Sequence, residues 1–187
     1  MNWANVRLLV TDFDGVHTAD AVYVDQNGVE SVRCLRADGY GITRLQAAGV
    51  PVIVLSAEVN PVVAARCRKL GVRCMQGQTD KLAVLMAYSR GWHEDPGMPV
   101  PEGVPLEHIA YMGNDVNDLE CLKAVGIPVV VRNAERAVFE ALGCIHAYTN
   151  EPIIGAVGVV YVTLRSGGYG AVREVCDLIL EARNGSR

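Results

Sequence analysis

Short apolar runs alternate with longer segments of helical periodicity along most of the chain. The run from Val6 to Val10 predicts a strand that ends at Thr11-Asp12, since a strand covered on both faces is a continuous apolar stretch. Further buried strands are predicted at Pro51 to Leu55, Val72 to Met75, Ile109 to Met112 and Pro128 to Val131.

Helices are predicted between these strands, and several have clear end signals. Asn60-Pro61 is typical of a helix start, and Gly49 and Gly71 are typical of helix ends. The predicted helices are Asp38 to Ala48, Asn60 to Leu70, Lys81 to Arg90, Asn117 to Val125, Glu135 to Leu142 and Ala171 to Ala182. Helices of this length between strands predict βαβ units. We therefore expect an α/β fold with a Rossmann-like parallel sheet and helices on both faces.

Two segments interrupt this alternation. Asn27-Gly28 lies between alternating apolar residues and predicts a β-hairpin within about residues 21–34. Gly91 to Leu106 contains four of the eight prolines and predicts a surface loop, too short to separate two domains. We therefore expect a single domain over residues 1–187, with a tail from about residue 165.

The composition narrows the possible classes of function. Half of the 187 residues are hydrophobic and a fifth are charged, as in ordinary globular proteins. The net charge of −4 and the lack of a Lys/Arg-rich run argue against nucleic-acid binding. No apolar run reaches membrane-spanning length, and the first residues do not resemble a signal peptide, so we expect a cytoplasmic protein without membrane contact. The six cysteines form no C-x-x-C pair, which predicts reduced thiols.

Distinctive polar residues follow several predicted strands. The first strand ends in Asp12-Phe13-Asp14-Gly15-Val16, the second in Ser56, and a later one in Gly113-Asn114-Asp115 followed by Asp118. Lys81 opens the helix that follows Gln76 to Asp80. Ligands of open parallel sheets bind beyond the carboxyl ends of the strands, so these residues should converge on one crevice.

Two carboxylates as close together as Asp12 and Asp14 repel each other unless a cation lies between them. Magnesium suits such a site because it prefers oxygen ligands. A phosphate held there would meet Asp12 as a covalent nucleophile, and Asp14 could protonate the leaving oxygen and later activate water. Ser56 can donate to the phosphate, and Lys81 can neutralise its charge.

Each of these residues alone has a plainer explanation. Asp12 and Asp14 are compatible with a helix cap and a turn residue, Ser56 with a turn, and Lys81 with a solvated surface position. Acidic residues in the first turn of a helix interact favourably with the helix dipole, which would account for Asp115 and Asp118. Only the ordered combination predicts a catalytic site.

This combination resembles the haloacid dehalogenase superfamily of phosphatases. Three further segments are similar to its capless sugar-acid phosphatase branch: Arg36 to Ile42, Gln76 to Lys81 and Gly167 to Glu174. That branch includes 3-deoxy-manno-octulosonate 8-phosphate phosphatases, nonulosonate 9-phosphate phosphatases and the C-terminal domain of some acylneuraminate cytidylyltransferases. The resemblance covers nearly the whole chain. It implies a phosphomonoesterase without a cap domain that acts on a small phosphorylated sugar acid.

The resemblance also implies a set of metal ligands. In the branch, Mg²⁺ is held by the first aspartate, the backbone carbonyl of the second, and the residue after the motif glycine, which here are Asp12, Asp14 and Asn114. The branch usually has Asp at the last position, and Asn offers a carbonyl oxygen without a charge. Two outcomes stay open: a lower metal affinity, or compensation by Asp115 and Asp118. Asp118 is expected to support Lys81 or the metal-bound waters.

The expected substrate follows from a departure in sequence. Octulosonate phosphatases usually have T-G-R at the second strand end, where this chain has Ser56-Ala57-Glu58. Arg66 and Lys69 follow Glu58 by eight and eleven residues, as in the nonulosonate phosphatases. We therefore expect Ala57, Glu58, Arg66 and Lys69 to contact a sialic-acid-type 9-phosphate, with Arg66 binding the sugar carboxylate. Two alternatives stay open, namely an octulosonate 8-phosphate substrate and an exposed, salt-bridged helix face.

The resemblance further implies a homotetramer in which the hairpin forms the core and a neighbour's loop or tail closes each active site. The alternative from another class is a weakly active assembly domain related to acylneuraminate cytidylyltransferase. The presence of Asp12, Asp14, Ser56 and Lys81 argues against that alternative, whereas Asn114 argues weakly for it.

Overall fold

The computed structural model describes residues 1–91, 103–144, 153–155 and 158–185. The described residues form nine strands: β1 Leu8–Thr11, β2 Tyr23–Val24, β3 Glu30–Ser31, β4 Val52–Leu55, β5 Arg73–Met75, β6 Ile109–Gly113, β7 Ile127–Val130, β8 Ile153–Gly155 and β9 Gly158–Val162. They also form six α-helices: α1 Arg36–Ala47, α2 Pro61–Leu70, α3 Lys81–Ser89, α4 Leu119–Ala124, α5 Arg136–Leu142 and α6 Ala171–Gly185.

Seven of the described strands form one sheet in the order β5-β4-β1-β6-β7-β9-β8. The first six strands in this order run parallel to one another. The seventh, β8, pairs antiparallel with β9 at one edge of the sheet. In the centre, Thr11 of β1 lies opposite Val54 of β4 and Met112 of β6. The predicted Rossmann-like parallel sheet is confirmed. The strand order reverses beside β1, which is where such sheets have their binding crevice.

The core lies on both faces of this sheet, as predicted. Leu9 of β1 packs in the cluster that includes α1 and α6, whereas Leu8 and Val10 pack in the cluster that includes α3, α4 and α5. Both faces of β1 are therefore buried, which explains why its sequence is an unbroken apolar run.

Several predicted boundaries differ by a few residues, and the prediction omits two strands. The first strand spans Leu8–Thr11 and excludes Val6. The helix predicted from Asn117 begins at Leu119, after a 3₁₀ turn over Val116–Asp118. In that turn the Asp118 side chain accepts hydrogen bonds from the backbone N–H groups of Asn114 and Asp115. Strands β8 and β9 lie outside the predicted set, although the apolar run 159–162 is typical of a strand.

The hairpin is present and projects from the sheet as β2 and β3. Its turn is closed by the Asp25 carboxylate, which accepts from the N–H groups of Asn27 (2.8 Å) and Val29 (2.9 Å). No cap domain occurs within the described residues, in agreement with the prediction. Residues 92–102 of the predicted loop and residues 186–187 of the predicted tail lie outside the described residues. Within the described ranges, no helix has the length and apolar character needed to cross a bilayer.

Candidate active site

Asp12 follows β1 directly and is held on several sides. Its backbone N–H donates to the carbonyl of Met112 in β6 (2.9 Å). Carboxylate oxygen Oδ1 accepts from the N–H of Phe13 (2.7 Å), and Oδ2 lies 2.9 Å from Nζ of Lys81. The residue is only 5% exposed. The predicted nucleophile is therefore buried at the carboxyl edge of the sheet with both oxygens oriented.

Lys81 is the first residue of α3, a helix whose start is capped by the Asp80 carboxylate. Its ammonium group lies 2.9 Å from Asp12 and 2.8 Å from Asp118. Burial acts to lower the pKa of Lys81, but the two carboxylates outweigh it and raise that pKa above its ordinary value. The ammonium therefore stays charged, and the plainer explanation of a surface lysine is wrong.

Asp118 connects the segment after β6 to Lys81. Its Oδ1 accepts from the hydroxyl of Tyr111 (2.7 Å) as well as from Lys81, and its Oδ2 accepts from the N–H groups of Asn114 (2.9 Å) and Asp115 (3.3 Å). Asp118 is fully buried, whereas Asp115 caps the following 3₁₀ turn through its own carboxylate. Asp118 thus supports Lys81, as expected. Tyr111 is absent from the predicted site because a tyrosine inside an apolar strand gives no signal of where its hydroxyl points.

The pKa of Asp12 is raised to about 7, first by burial and then by the negative charge of Asp118, against the lowering effect of Lys81. Two carboxylates around one ammonium leave an excess negative charge in a site with little solvent. A bound cation would offset this charge, so the electrostatics favour a metal at the position predicted for it.

Asp14 lies two residues further along and is half-buried. The hydroxyl of Thr18 donates to its Oδ1 at 3.4 Å. Its pKa is raised, first by burial and then by the negative charges of Glu58 and Asp20. A carboxyl group with a raised pKa holds a proton closer to neutral pH, which suits a general acid.

The turn after β1 requires Gly15. The carbonyl of Phe13 accepts from three backbone N–H groups, so the chain doubles back tightly. Gly15 has a φ of +73°, in the left-handed region, and a Cβ there would lie 2.0 Å from Nδ2 of Asn114. The lack of room for a Cβ shows that the backbone at Gly15 lies directly against the side chain of Asn114.

The predicted metal ligands can be tested against one feature of this side chain. Oδ1 of Asn114 is buried and has no hydrogen-bond partner in the described part of the chain. An unpaired buried acceptor costs about 1–3 kcal/mol, so a ligand for this oxygen is expected. The described residues contain no metal cluster of three or more His, Cys, Asp or Glu side chains. The predicted ligand set fits that finding, because only Asp12 would bind through a carboxylate. Asp14 would bind through its backbone carbonyl and Asn114 through its side-chain amide oxygen.

Ser56 follows β4, the strand next to β1. Its N–H donates to the carbonyl of Met75 (2.9 Å), and its Oγ accepts from the N–H of Glu58 (3.1 Å). Ser56 is therefore a turn residue, but its hydroxyl hydrogen is still able to donate to a phosphate at the same edge of the sheet. Ala57 lies within this turn, half-buried.

A cavity of about 290 Å³ opens beside Asp14, between the hairpin and the segment after β4. Its lining includes Asp14, Asp20, Val22, Glu30, Glu58 and Val63. The predicted substrate residue Glu58 therefore lies next to the predicted general acid.

Arg66 and Lys69, the other charged residues predicted to bind substrate, are not among the residues that line this cavity. Arg66 lies on α2, and its Nη2 donates to the carbonyl of Leu35 before α1 (3.1 Å). Lys69 is exposed in the last turn of α2. The binding of the sugar carboxylate by Arg66 stays a prediction; in the single chain its guanidinium contacts the residue before α1.

Comparisons with known proteins place the chain in a family. The model of haloacid dehalogenase-like hydrolases matches residues 101–157. The chain is 32% identical over 180 residues to the 3-deoxy-D-manno-octulosonate 8-phosphate phosphatase of Salmonella typhi, with 96% of this chain and 81% of that protein covered.

Solved structures of similar proteins agree. The octulosonate 8-phosphate phosphatase of Yersinia pestis has a TM-score of 0.77 at 31% identity and covers 98% of this chain and 85% of its own. The enzyme of Moraxella catarrhalis, in complex with a magnesium ion, a phosphate ion and a KDO molecule, has a TM-score of 0.77 at 28% identity, with 98% and 91% covered.

The chain belongs to the haloacid dehalogenase-like hydrolases and is a phosphomonoesterase. An aspartate nucleophile is typical of this family, which agrees with the position of Asp12. The relatives named above are octulosonate phosphatases, so the expected preference for a nonulosonate finds no support among them.

Proposed function

We propose that this protein is a magnesium-dependent phosphatase that hydrolyses 3-deoxy-D-manno-octulosonate 8-phosphate through a phosphorylated Asp12. The observation that carries the proposal is the buried ion pair of Lys81 with Asp12 and Asp118. It occurs in a chain that is 32% identical over nearly its whole length to phosphatases of this substrate.

In the first step, a carboxylate oxygen of Asp12 attacks phosphorus, and the bond to the sugar oxygen breaks. Asp14 gives its proton to that leaving oxygen, so the sugar departs as a neutral alcohol. In the second step, Asp14 takes a proton from a water molecule that attacks phosphorus. Inorganic phosphate leaves, and the carboxylate of Asp12 is restored.

The remaining residues orient these groups. Lys81 holds Asp12 and faces the phosphoryl charge, Asp118 holds Lys81, and Ser56 donates to a phosphate oxygen. Mg²⁺ would be bound by the Asp12 carboxylate, the Asp14 backbone carbonyl and the Asn114 amide oxygen, and it would supply positive charge to the phosphoryl group.

A second candidate substrate is a nonulosonate 9-phosphate. The observation that favours it is the position of Glu58 in the cavity beside Asp14, where octulosonate phosphatases usually have a different residue. A carboxylate there can accept hydrogen bonds from the hydroxyl groups of a sugar acid.

Phosphate release from the eight-carbon and nine-carbon substrates, with Mg²⁺ or with EDTA, tests the proposal. We expect the eight-carbon substrate to have a kcat/KM at least about tenfold higher, and EDTA to abolish turnover. Asp12→Asn should lower kcat by about 1,000-fold or more while circular dichroism stays unchanged. A preference for the nine-carbon substrate would overturn the substrate assignment, and an active Asp12→Asn variant would overturn the nucleophile. Turnover of neither substrate would favour the assembly-domain alternative.

We also propose a homotetrameric assembly in the cytoplasm. Support for the assembly comes from the hairpin, whose side chains Val22, Tyr23, Val24 and Val29 are all more than half exposed. Exposed apolar side chains grouped on one short element are typical of a surface that a partner covers. The cytoplasmic location stays a prediction, in keeping with six cysteines that are all free thiols.

A further inference from the structure

The segment Gly167-Gly168 lies directly against residues 12–18, which we call the nucleophile loop. The N–H of Gly168 donates to the carbonyl of Val16 (3.0 Å). In turn, Nη2 of Arg33 donates to the carbonyl of Gly168 (3.1 Å). The segment from the far end of the chain is therefore bonded to the loop that carries Asp12 and Asp14.

The approach of Gly167 to the loop is closer still. A Cβ at this position would lie 1.6 Å from the carbonyl oxygen of Gly15. The φ of Gly167 is outside the left-handed region, so its backbone conformation is open to other residues. Lack of space against Gly15 is therefore the reason for glycine here.

Asn133, which follows β7, fixes Gly167 from the other side. Its Oδ1 accepts from the N–H of Gly167 (2.7 Å). Two residues later, the N–H of Glu135 donates to the backbone carbonyl of Asn114 (2.8 Å). The short segment between β7 and α5 thus contacts both Gly167 and Asn114. Gly15 lies between the Asn114 amide and the Gly167 backbone.

We propose that Asn133 and Gly167 are positioning residues, which hold the nucleophile loop so that Gly15 stays against Asn114. This inference rests on the proposed function, since it assigns the two residues to the phosphatase reaction. A displacement of about 1 Å in a catalytic group costs about 100-fold in rate. A role in overall stability explains the contacts less well. Asn133 is exposed, and its hydrogen-bond partner Gly167 contacts the nucleophile loop and not the hydrophobic core.

The contacts predict a specific kinetic effect. They lie on the loop and on Asn114, whereas most residues that line the cavity beside Asp14 belong to the hairpin and to the segment that includes Glu58 and Val63. Loss of the contacts should therefore lower kcat and leave the KM for the sugar phosphate nearly unchanged.

Gly167→Ala tests this effect, with Gly126→Ala as a matched control. In the control, the Cβ would lie 2.3 Å from the carbonyl oxygen of Glu107, which is a similar backbone clash. It occurs at the amino ends of β6 and β7, away from the carboxyl ends of the strands where the site lies. We expect Gly167→Ala to lower kcat about 100-fold with KM within about threefold of the parent. Gly126→Ala should keep the parental kcat per folded molecule. Equal losses of kcat in both variants would overturn the inference.

A second pair of variants covers the case in which Gly167→Ala does not fold. Asn133→Ala removes the acceptor of the Gly167 N–H and should lower kcat about tenfold. Asn133→Asp keeps an oxygen at that position and should restore kcat to within about threefold of the parent. An Asn133→Asp variant as slow as Asn133→Ala would contradict the positioning role.

Amide hydrogen exchange separates this inference from the proposed function, because it needs neither substrate nor metal. The amides of Gly168 and of residues 16–18 should exchange about tenfold faster or more in Asn133→Ala than in the parent, and unchanged in Gly126→Ala. If the parent releases no phosphate, the proposed function fails and the exchange rates still test the contact. Unchanged exchange would reject the contact even in an active enzyme.

Discussion

Lys81 has a side-chain exposure of 1% and lies within 2.9 Å of two carboxylates. Removing an ammonium group from water costs several kcal/mol, and only close partners of opposite charge offset that cost. Asp118 can serve as such a partner because Tyr111 and two backbone N–H groups also donate to it. The burial of Asp12 still outweighs its attraction to Lys81, since the pKa of Asp12 is raised overall. The site is therefore built to accept one more positive charge.

His17 offers a prediction that does not depend on catalysis. It is buried, with Nε2 lying 2.8 Å from Oγ1 of Thr11 and its ring stacked on Phe13. His17 is therefore a packed histidine within the nucleophile loop. Burial, and then the positive charge of Arg66, lower the pKa of His17 to about 4. In the unfolded chain the pKa is about 6.5.

Between pH 6.5 and pH 4, the unfolded chain therefore binds a proton at His17 that the folded protein does not bind. Stability is fully present above pH 6.5 and falls as the pH drops, by up to about 3 kcal/mol. We expect His17→Leu to cost about 1 kcal/mol at pH 7, because Thr11 loses its partner, and to be about 3 kcal/mol less sensitive to acid. Urea unfolding from pH 7 to pH 4 measures both. Parallel pH profiles for parent and variant would show that His17 does not control acid stability.

At the scale of elements, the carboxyl ends of the parallel strands could be predicted from the sequence. An apolar run followed at once by Asp12, Ser56 or Asn114 has a clear pattern, and the parallel sheet makes those ends neighbours. The side-chain directions could not be predicted. Arg66 turns toward α1, and the contact of Gly167 with Gly15 joins positions about 150 residues apart in sequence. Such contacts depend on tertiary packing, which local periodicity does not encode.

The contact between α1 and α6 gives a prediction at this scale. Gly41 of α1 faces α6 so closely that a Cβ would lie 2.8 Å from Cδ of Arg173, 3.2 Å from its Cα and 3.2 Å from Cβ of Cys176. Alanine gains about 1 kcal/mol in helix propensity, but overpacking costs about 1–3 kcal/mol, and the Cα of Arg173 cannot move aside as a side chain can.

We therefore expect Gly41→Ala to lower the free energy of unfolding by about 1 kcal/mol or more. Gly185→Ala is the matched control, because a Cβ at that helical position meets no atom within 4 Å. That variant should be neutral or slightly stabilised. Urea unfolding of both variants decides the matter, and a Gly41→Ala variant more stable than the parent would show that the helices separate at little cost.

At the scale of the whole molecule, the hairpin is the part that a single chain explains least. Strands β2 and β3 have two residues each, and both are exposed along their whole length. Tyr23 and Val29 have exposures of 64% and 62%, beside a short turn that is well ordered by Asp25. An isolated two-stranded hairpin is at best marginally stable in water, so a partner surface is the physical explanation for its exposed apolar side chains.

If copies of this chain cover the hairpin, two positive charges on it should separate them. We expect Tyr23→Lys combined with Val29→Lys to reduce the mass in solution about fourfold, from tetramer to monomer, by light scattering at micromolar concentration. Leu164→Lys places a charge on an apolar residue of similar exposure (49%) outside the hairpin and should leave the mass unchanged. The separated chain should also turn over its substrate more weakly. Its hairpin would lose the partner surface that stabilises it, and Val22 and Glu30 of the hairpin form part of the cavity wall beside Asp14. A parent that is already monomeric, or a double variant that keeps the parental mass, would rule out assembly through the hairpin.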